Sequence, residues 1–291
     1  MTTQLLKNAY DIHVHAAPDV IPRATGQRGL ALAASEAGMS GILLKDHCTS
    51  TVGRVDALNS FAEIHCRFYS ALALNPPVGS LNPVAVESAL RAGVDVIFFP
   101  TYGAANHIQI WGAGKPPTAF PLPSEEQFKG ITIIEQDGTL KQVCIEILRL
   151  IAKHDAVLGT GHISPKESLE LLRYAKSLGV RRMIVTHASE SVTPFTIEQQ
   201  HQAANLGALI EHCFFATTAL CPSPIPLKEI CDQIRSVGVE HTILSSDFGQ
   251  VKNGHPVEGF GHYLEKMKHL GFSKEEIEIM VTRNPRKLLG G

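Results

Sequence analysis

At 291 residues, with 44% hydrophobic and 19% charged residues, the chain can bury a large core, which excludes long disorder and suits one α/β barrel of about 250 residues plus insertions. A net charge of -2 offers no basic footprint, setting aside nucleic acid and anionic membranes and leaving small molecules as the default partner. Six scattered cysteines without a Cys-x-x-Cys pair indicate neither a zinc ribbon nor a disulfide framework, and no apolar run approaches the roughly 18 residues of a bilayer crossing, so a cytoplasmic protein is expected.

The first apolar segment ends in Asp11-Ile12-His13-Val14-His15. Strand side chains alternate between faces, so His13 and His15 share one face while Ile12 and Val14 turn away. Short aliphatic runs then alternate with helical patterns, which predicts strands over 10–15, 41–45, 68–74, 94–100, 156–159, 182–186, 208–211 and 242–244. Gly38, Gly93, Gly179, Gly207 and Gly238 each stand just before a strand, where a left-handed helix cap suits glycine. Ser164-Pro165-Lys166-Glu167 and Ser273-Lys274-Glu275-Glu276 read as helix starts, the first with proline at the first helical position and the second as a capping box. No Gly-x-Gly-x-x-Gly follows the first strand, so the alternation favours a closed barrel over an open doubly wound sheet.

The expected fold is therefore a single (β/α)8 TIM barrel spanning 1–291, with an insertion after strand four at about 103–139. That insertion carries Trp111, the proline-rich run 116–123, and a stretch from Ile131 to Gly138 that reads as a small hairpin turning on Asp137-Gly138. A long loop on the C-terminal rim is a candidate lid or substrate wall, with an oligomer contact or a plain surface loop as the alternatives.

In such a barrel the C-terminal strand ends meet at one rim. His13 and His15 come from strand one, His162 from strand five, His187 from strand six and Asp247 from strand eight. Four imidazoles and a carboxylate suit one or two divalent ions, zinc first, with manganese or iron as alternatives. A metal with an open position brings the pKa of bound water to about 7, and Asp247 is placed to ligate, to orient that water and to take its proton.

This ordered set, with the closing Asn284-Pro285-Arg286-Lys287-Leu288-Leu289, resembles the metal-dependent amidohydrolase superfamily, including its phosphotriesterase-like and amidohydrolase-related branches. The resemblance implies a barrel, a mono- or binuclear centre held by His13, His15, His162, His187 and Asp247, and hydrolysis at a carbonyl or phosphorus centre, with decarboxylation in a minority of relatives. Binuclear relatives place a carboxylated lysine or a glutamate at the end of strand four, whereas this chain reads Phe98-Phe99-Pro100-Thr101-Tyr102.

Strand two offers Lys45 and His47 on one face and Asp46 on the other. Lys45 is open to three roles: a carbamate bridge, a cation for a substrate carboxylate or phosphate, or one half of an ion pair. His47 reads as a substrate contact, and Arg23, in the polar loop after strand one with Arg28, as a contact for an anionic substrate. Of Glu211 and His212 at most one faces inward, and a structural hydrogen bond is the expected role of either. Tyr102, His107 and Trp111 are candidates to line the pocket.

The expected function is a metal-dependent hydrolase cleaving a small ester, lactone or amide by a metal-activated water. A metal-dependent decarboxylase of the same fold and a non-catalytic metal- or ligand-binding barrel are the alternatives, and a homo-oligomer is allowed.

Overall fold

Alternating apolar runs and amphipathic stretches fold into eight parallel strands: β1 (Tyr10–Val14), β2 (Gly41–Leu44), β3 (Arg67–Ala73), β4 (Val96–Phe98), β5 (Val157–Gly159), β6 (Met183–Val185), β7 (Ala208–Cys213) and β8 (Thr242–Ser245). The computed structural model describes residues 4–112 and 128–290. The strands pair in sequence order, each with its successor, as in a (β/α)8 barrel. Outside them lie α1 (Gln27–Glu36), α2 (Val52–Asn59), α3 (Pro83–Arg91), α4 (Ala105–Trp111), α5 (Gln142–Lys153), α6 (Pro165–Ser177), α7 (Ile197–Leu206), α8 (Leu227–Val237) and α9 (Pro256–His269), followed by α10 (Lys274–Glu278) and α11 (Asn284–Leu289). No helix among the described residues is long and apolar enough to cross a membrane.

The expected punctuation holds. All five predicted cap glycines have positive φ, from 70° at Gly38 to 102° at Gly238. Ser164 and Ser273 both close full capping boxes, so Ser164 does more than precede a proline. The asparagine of the terminal helix donates from Nδ2 to the Val239 and Thr242 carbonyls at 2.8 and 2.7 Å, tying α11 to the start of β8. Leu288 and Leu289 thereby join the cluster that fills the barrel's lower lumen, with Leu43, Tyr69, Val96, Phe98, Val157, Ile184 and Ile243.

That cluster corrects one expectation about β1. Tyr10 and Ile12 both pack in the lumen, whereas Val14 packs among the outer helices. The register against β2 shifts between Asp11 and Val14, so a bulge lets Ile12 fill the lumen while His13 still points into it. Only Val14 turns away as alternation requires.

The barrel closes without a regular β8–β1 ladder. Asp247 N donates to His13 O at 2.9 Å and His15 N to Phe248 O at 2.8 Å, with one parallel bridge between Val14 and Phe248. Between β4 and α5 the chain makes the short α4 and a bridged turn. Ile134 and Leu140 form a single antiparallel bridge rather than a two-stranded hairpin, while Gly138 takes the expected positive φ of 87°. The turn closes locally instead, because Asp137 Oδ1 accepts from both the amide and the hydroxyl of Thr139, at 2.9 and 2.6 Å. The proline-rich run of the candidate lid lies outside the described residues.

Two glycines on β5 and its exit loop set the lumen's shape. A Cβ on Gly159 would run into the Phe98 ring, and one on Gly161, whose φ is 66°, would meet the carbonyls of Phe99 and Pro100. Gly159→Val should therefore destabilise the fold by about 1–3 kcal/mol through overpacking, read as a lower denaturant midpoint with an unchanged slope. An unchanged midpoint would show that Phe98 can move aside.

Candidate metal centre

The bulge in β1 aims His13 into the mouth of the barrel, and His15 follows two residues later beyond the strand end. Both are 1% exposed. Asp247 enters from the loop after β8 with φ of 51°, a left-handed conformation that costs a non-glycine residue about 1 kcal/mol or more. Its Oδ1 lies 3.3 Å from His13 Nε2 and 3.2 Å from His15 Nε2. An ion about 2.1 Å from two ligand atoms at a tetrahedral angle leaves them about 3.4 Å apart, so the two separations suit shared coordination. These residues bring ligand atoms within 4.8 Å of one another, and His13, Glu211 and Cys213 do the same beneath them.

The other two expected ligands stand beside this group. His187, with φ of 31°, stacks on His13 at 5.7 Å between ring centres, and His162 meets His187 edge-on at 4.7 Å. His187 Nδ1 is 3.0 Å from Thr193 Oγ1, and His162 Nδ1 is 2.7 Å from His107 Nδ1. All five residues face one mouth, but only His13, His15 and Asp247 converge as a set of three.

Burial keeps His15, His162 and His187 neutral. It holds His15 well below the ordinary histidine value, with Arg23, His13 and Lys45 adding to the effect. Burial does the same to His162, reinforced by His187 and His107, and brings His187 down to about 3. Neutral imidazole is the form that can offer a lone pair to a metal.

Glu211, the last inward carboxylate of β7, organises the floor. It takes both oxygens to His13 Nδ1, at 3.2 and 3.3 Å, and accepts from Ser245 Oγ at 2.6 Å and from the His187 amide at 2.9 Å. Burial pushes its carboxyl up, but the charge and hydrogen bond of His13, then His187 and Ser245, outweigh that and hold it at about 2. A carboxylate on Nδ1 fixes that nitrogen as the donor, leaving the Nε2 lone pair turned toward Asp247. His212 faces the other way, with Nδ1 2.5 Å from Ser189 Oγ behind the barrel wall. One inward and one outward residue is the pattern that alternation predicts.

Lys45 is 1% exposed. Its Nζ lies 2.9 Å from His13 Nε2 and 4.6 Å from the centre of the Phe98 ring, which fills the end of β4. Burial pulls its pKa down, while Asp247, Glu211, Cys213 and Glu190 pull it back up. No carboxylate lies within ion-pair distance of it among the described residues, so the ion-pair expectation is not met. His47 stacks on His15 at 4.9 Å and reaches Thr101 Oγ1 at 2.8 Å. Asn75, unread in the sequence, holds that corner by donating to His47 O at 2.9 Å and to Thr101 Oγ1 at 2.6 Å.

A narrow cavity of about 40 Å3, room for a few waters, opens onto His13, His15, Lys45, His47, His162 and Asp247. Arg23 and Trp111 also line it. Arg23 reaches it with its guanidinium already on Asp19 at 2.7 Å. Trp111 is fastened by Nε1 to Ser191 Oγ at 2.9 Å, while Tyr102 and His107 back the wall against His47 and His162. Glu190 is a second residue that sequence reading missed. It is 2% exposed, has Oε1 without a hydrogen-bond partner, and lies 3.7 Å from His187 Nδ1. Burial, with the charges of Asp247 and Glu211, raises its carboxyl well above the usual range. Its signal was a glutamate three residues beyond a strand-end histidine.

Solved structures share this architecture. An amidohydrolase from Pseudomonas aeruginosa aligns with TM-score 0.67 and 13% identity over 98% of this chain and 96% of its own. The organophosphorus hydrolase from Deinococcus radiodurans gives 0.62 and 13% over 99% and 94%, and a 2,6-dihydroxybenzoate decarboxylase 0.57 and 9% over 98% and 100%. At such identities the likeness is one of fold, and it is the fold that the amidohydrolase resemblance implied. Comparison of the sequence with curated proteins finds no match. The model of DUF6282, a family of unknown function, matches residues 8–211, and the chain belongs to that family.

Proposed function

We propose that this barrel is a metal-dependent hydrolase that cleaves a small ester, lactone or amide. The observation that carries this reading is the convergence of His13 Nε2, His15 Nε2 and Asp247 Oδ1 at separations suited to one ion. Those three residues would hold the ion, and His162 and His187 would flank it. Bound there, a divalent ion supplies Lewis acidity, polarising a carbonyl oxygen and making water acidic enough to react near neutral pH.

The chain's own groups divide the remaining work. Glu211 keeps the proton of His13 on Nδ1, so that Nε2 remains a lone-pair donor. The Asp247 carboxylate, 13% exposed at the cavity wall, takes the proton of the attacking water and passes it to the leaving group. His47, Arg23 and the open Oε1 of Glu190 line the space a substrate would enter, and Lys45 adds positive charge suited to an anionic one. The cavity is narrow, so a bound substrate would leave little room for water, which would strengthen each of these interactions. The test is turnover of a panel of esters, lactones and amides, expected to depend on added metal and to stop with a chelator. Release of CO2 from carboxylate substrates with no hydrolysis would transfer the reading to decarboxylation.

Changing His13 and His15 together to Ala should strip the bound ion, read by elemental analysis of purified protein. Metal content equal to that of the parent would place the centre elsewhere. Asp247→Asn should lower turnover by about 100-fold or more in a folded protein, the scale of a general acid/base contribution. Near-normal turnover would move proton transfer to another group. Glu211→Gln should weaken metal binding by about 10- to 100-fold, the usual effect of removing a carboxylate behind a ligating histidine. Unchanged affinity would mean that Ser245 and the barrel wall orient His13 without it.

A further inference from the structure

Lys45 sits where a metal-dependent centre has least room for another cation. Its side chain is buried, it lies over the Phe98 ring, and its ammonium donates to His13 Nε2 at 2.9 Å. With the Nδ1 proton of His13 committed to Glu211, Nε2 has a single lone pair, and Lys45 occupies in this structure the one acceptor that an ion would need. The end of β4 contributes Phe98 to the lumen, so the carboxylate that could bridge two ions is absent from that place. The ammonium and a divalent ion also repel each other at this distance, so each further ion would add positive charge to a site where burial already disfavours it.

Resting on the metal-dependent reading above, we propose that the Lys45 ammonium takes the place of a second ion, so that the centre holds one divalent ion and Lys45 competes with it for His13 Nε2. His162 and His187 then serve the substrate side of the cavity instead of a second ion.

The test is zinc titration of chelator-stripped full-length protein, with stoichiometry from elemental analysis and affinity from competition with a chromophoric chelator. The wild type should saturate at one ion per chain, and Lys45→Met should still hold one but bind it about tenfold or more tightly, because a like charge and a competitor for Nε2 are removed together. Lys45→Gln serves as the second variant if the methionine protein fails to fold by circular dichroism. Two ions in the wild type would overturn the one-ion inference and leave the hydrolase reading standing. Equal or weaker affinity in the neutral variants would also overturn it, since Lys45 would then be helping to hold the metal. No bound ion in the wild type would sink the metal-dependent reading itself.

Discussion

The closure of the barrel between β8 and β1 is the constraint on which the rest depends. A parallel barrel needs its last strand to meet its first, and here the strands do so through two backbone bonds whose residues are also the candidate ligands. Asp247 donates its amide to His13, and His15 donates to the residue after Asp247. Closing the sheet and assembling the ligand set are therefore one event. The same coupling explains why Asp247 keeps a left-handed backbone: its own amide and the carbonyl of Phe248 are both tied across the seam, so the strain cannot relax without disturbing the closure.

Beneath the seam the polar and apolar parts of the lumen meet abruptly. Phe98 and the cluster around it form a dry floor, and the chain Ser245, Glu211, His13, Lys45 lies directly on top. A half-satisfied network in such a place is worse than an apolar filling, so each member is held by more than one neighbour. Glu211 shows this most clearly. Its bonds to His13, Ser245 and the His187 amide join strands one, six, seven and eight, so a single carboxylate orients the His13 imidazole and anchors the backbone of His187.

Much of this was legible in the chain, for definite reasons. Strand positions followed from short aliphatic runs alternating with helical patterns, five of them preceded by a cap glycine, and those glycines were readable because only that residue takes the left-handed conformation without a steric cost. The convergence of His13, His15, His162, His187 and Asp247 on one mouth followed from barrel topology. What escaped depended on register and on loops. The β1 bulge could not be read from alternation, because a bulge is an exception that only the partner strand defines. Glu211 was legible as inward or outward, but its bond to His13 across 198 residues was not. Glu190 and Asn75 lie on irregular segments after β6 and β3, where no periodicity assigns a direction. The hairpin expected at Asp137 and Gly138 gave only a bridged turn, because the bonds of the Asp137 side chain close it before a ladder can extend.

Phe98 connects these levels. As the luminal residue at the end of β4 it requires glycine at position 159 on the neighbouring strand, and it supplies the aromatic face against which Lys45 lies. An acidic residue there would have met Lys45 as an ion pair and drawn it away from His13. With an aromatic ring in that place, the floor offers the ammonium a π face in place of a carboxylate, and it reaches upward to the Nε2 lone pair. The choice of an apolar side chain at one strand end thus decides how positive charge is distributed through the whole mouth of the barrel.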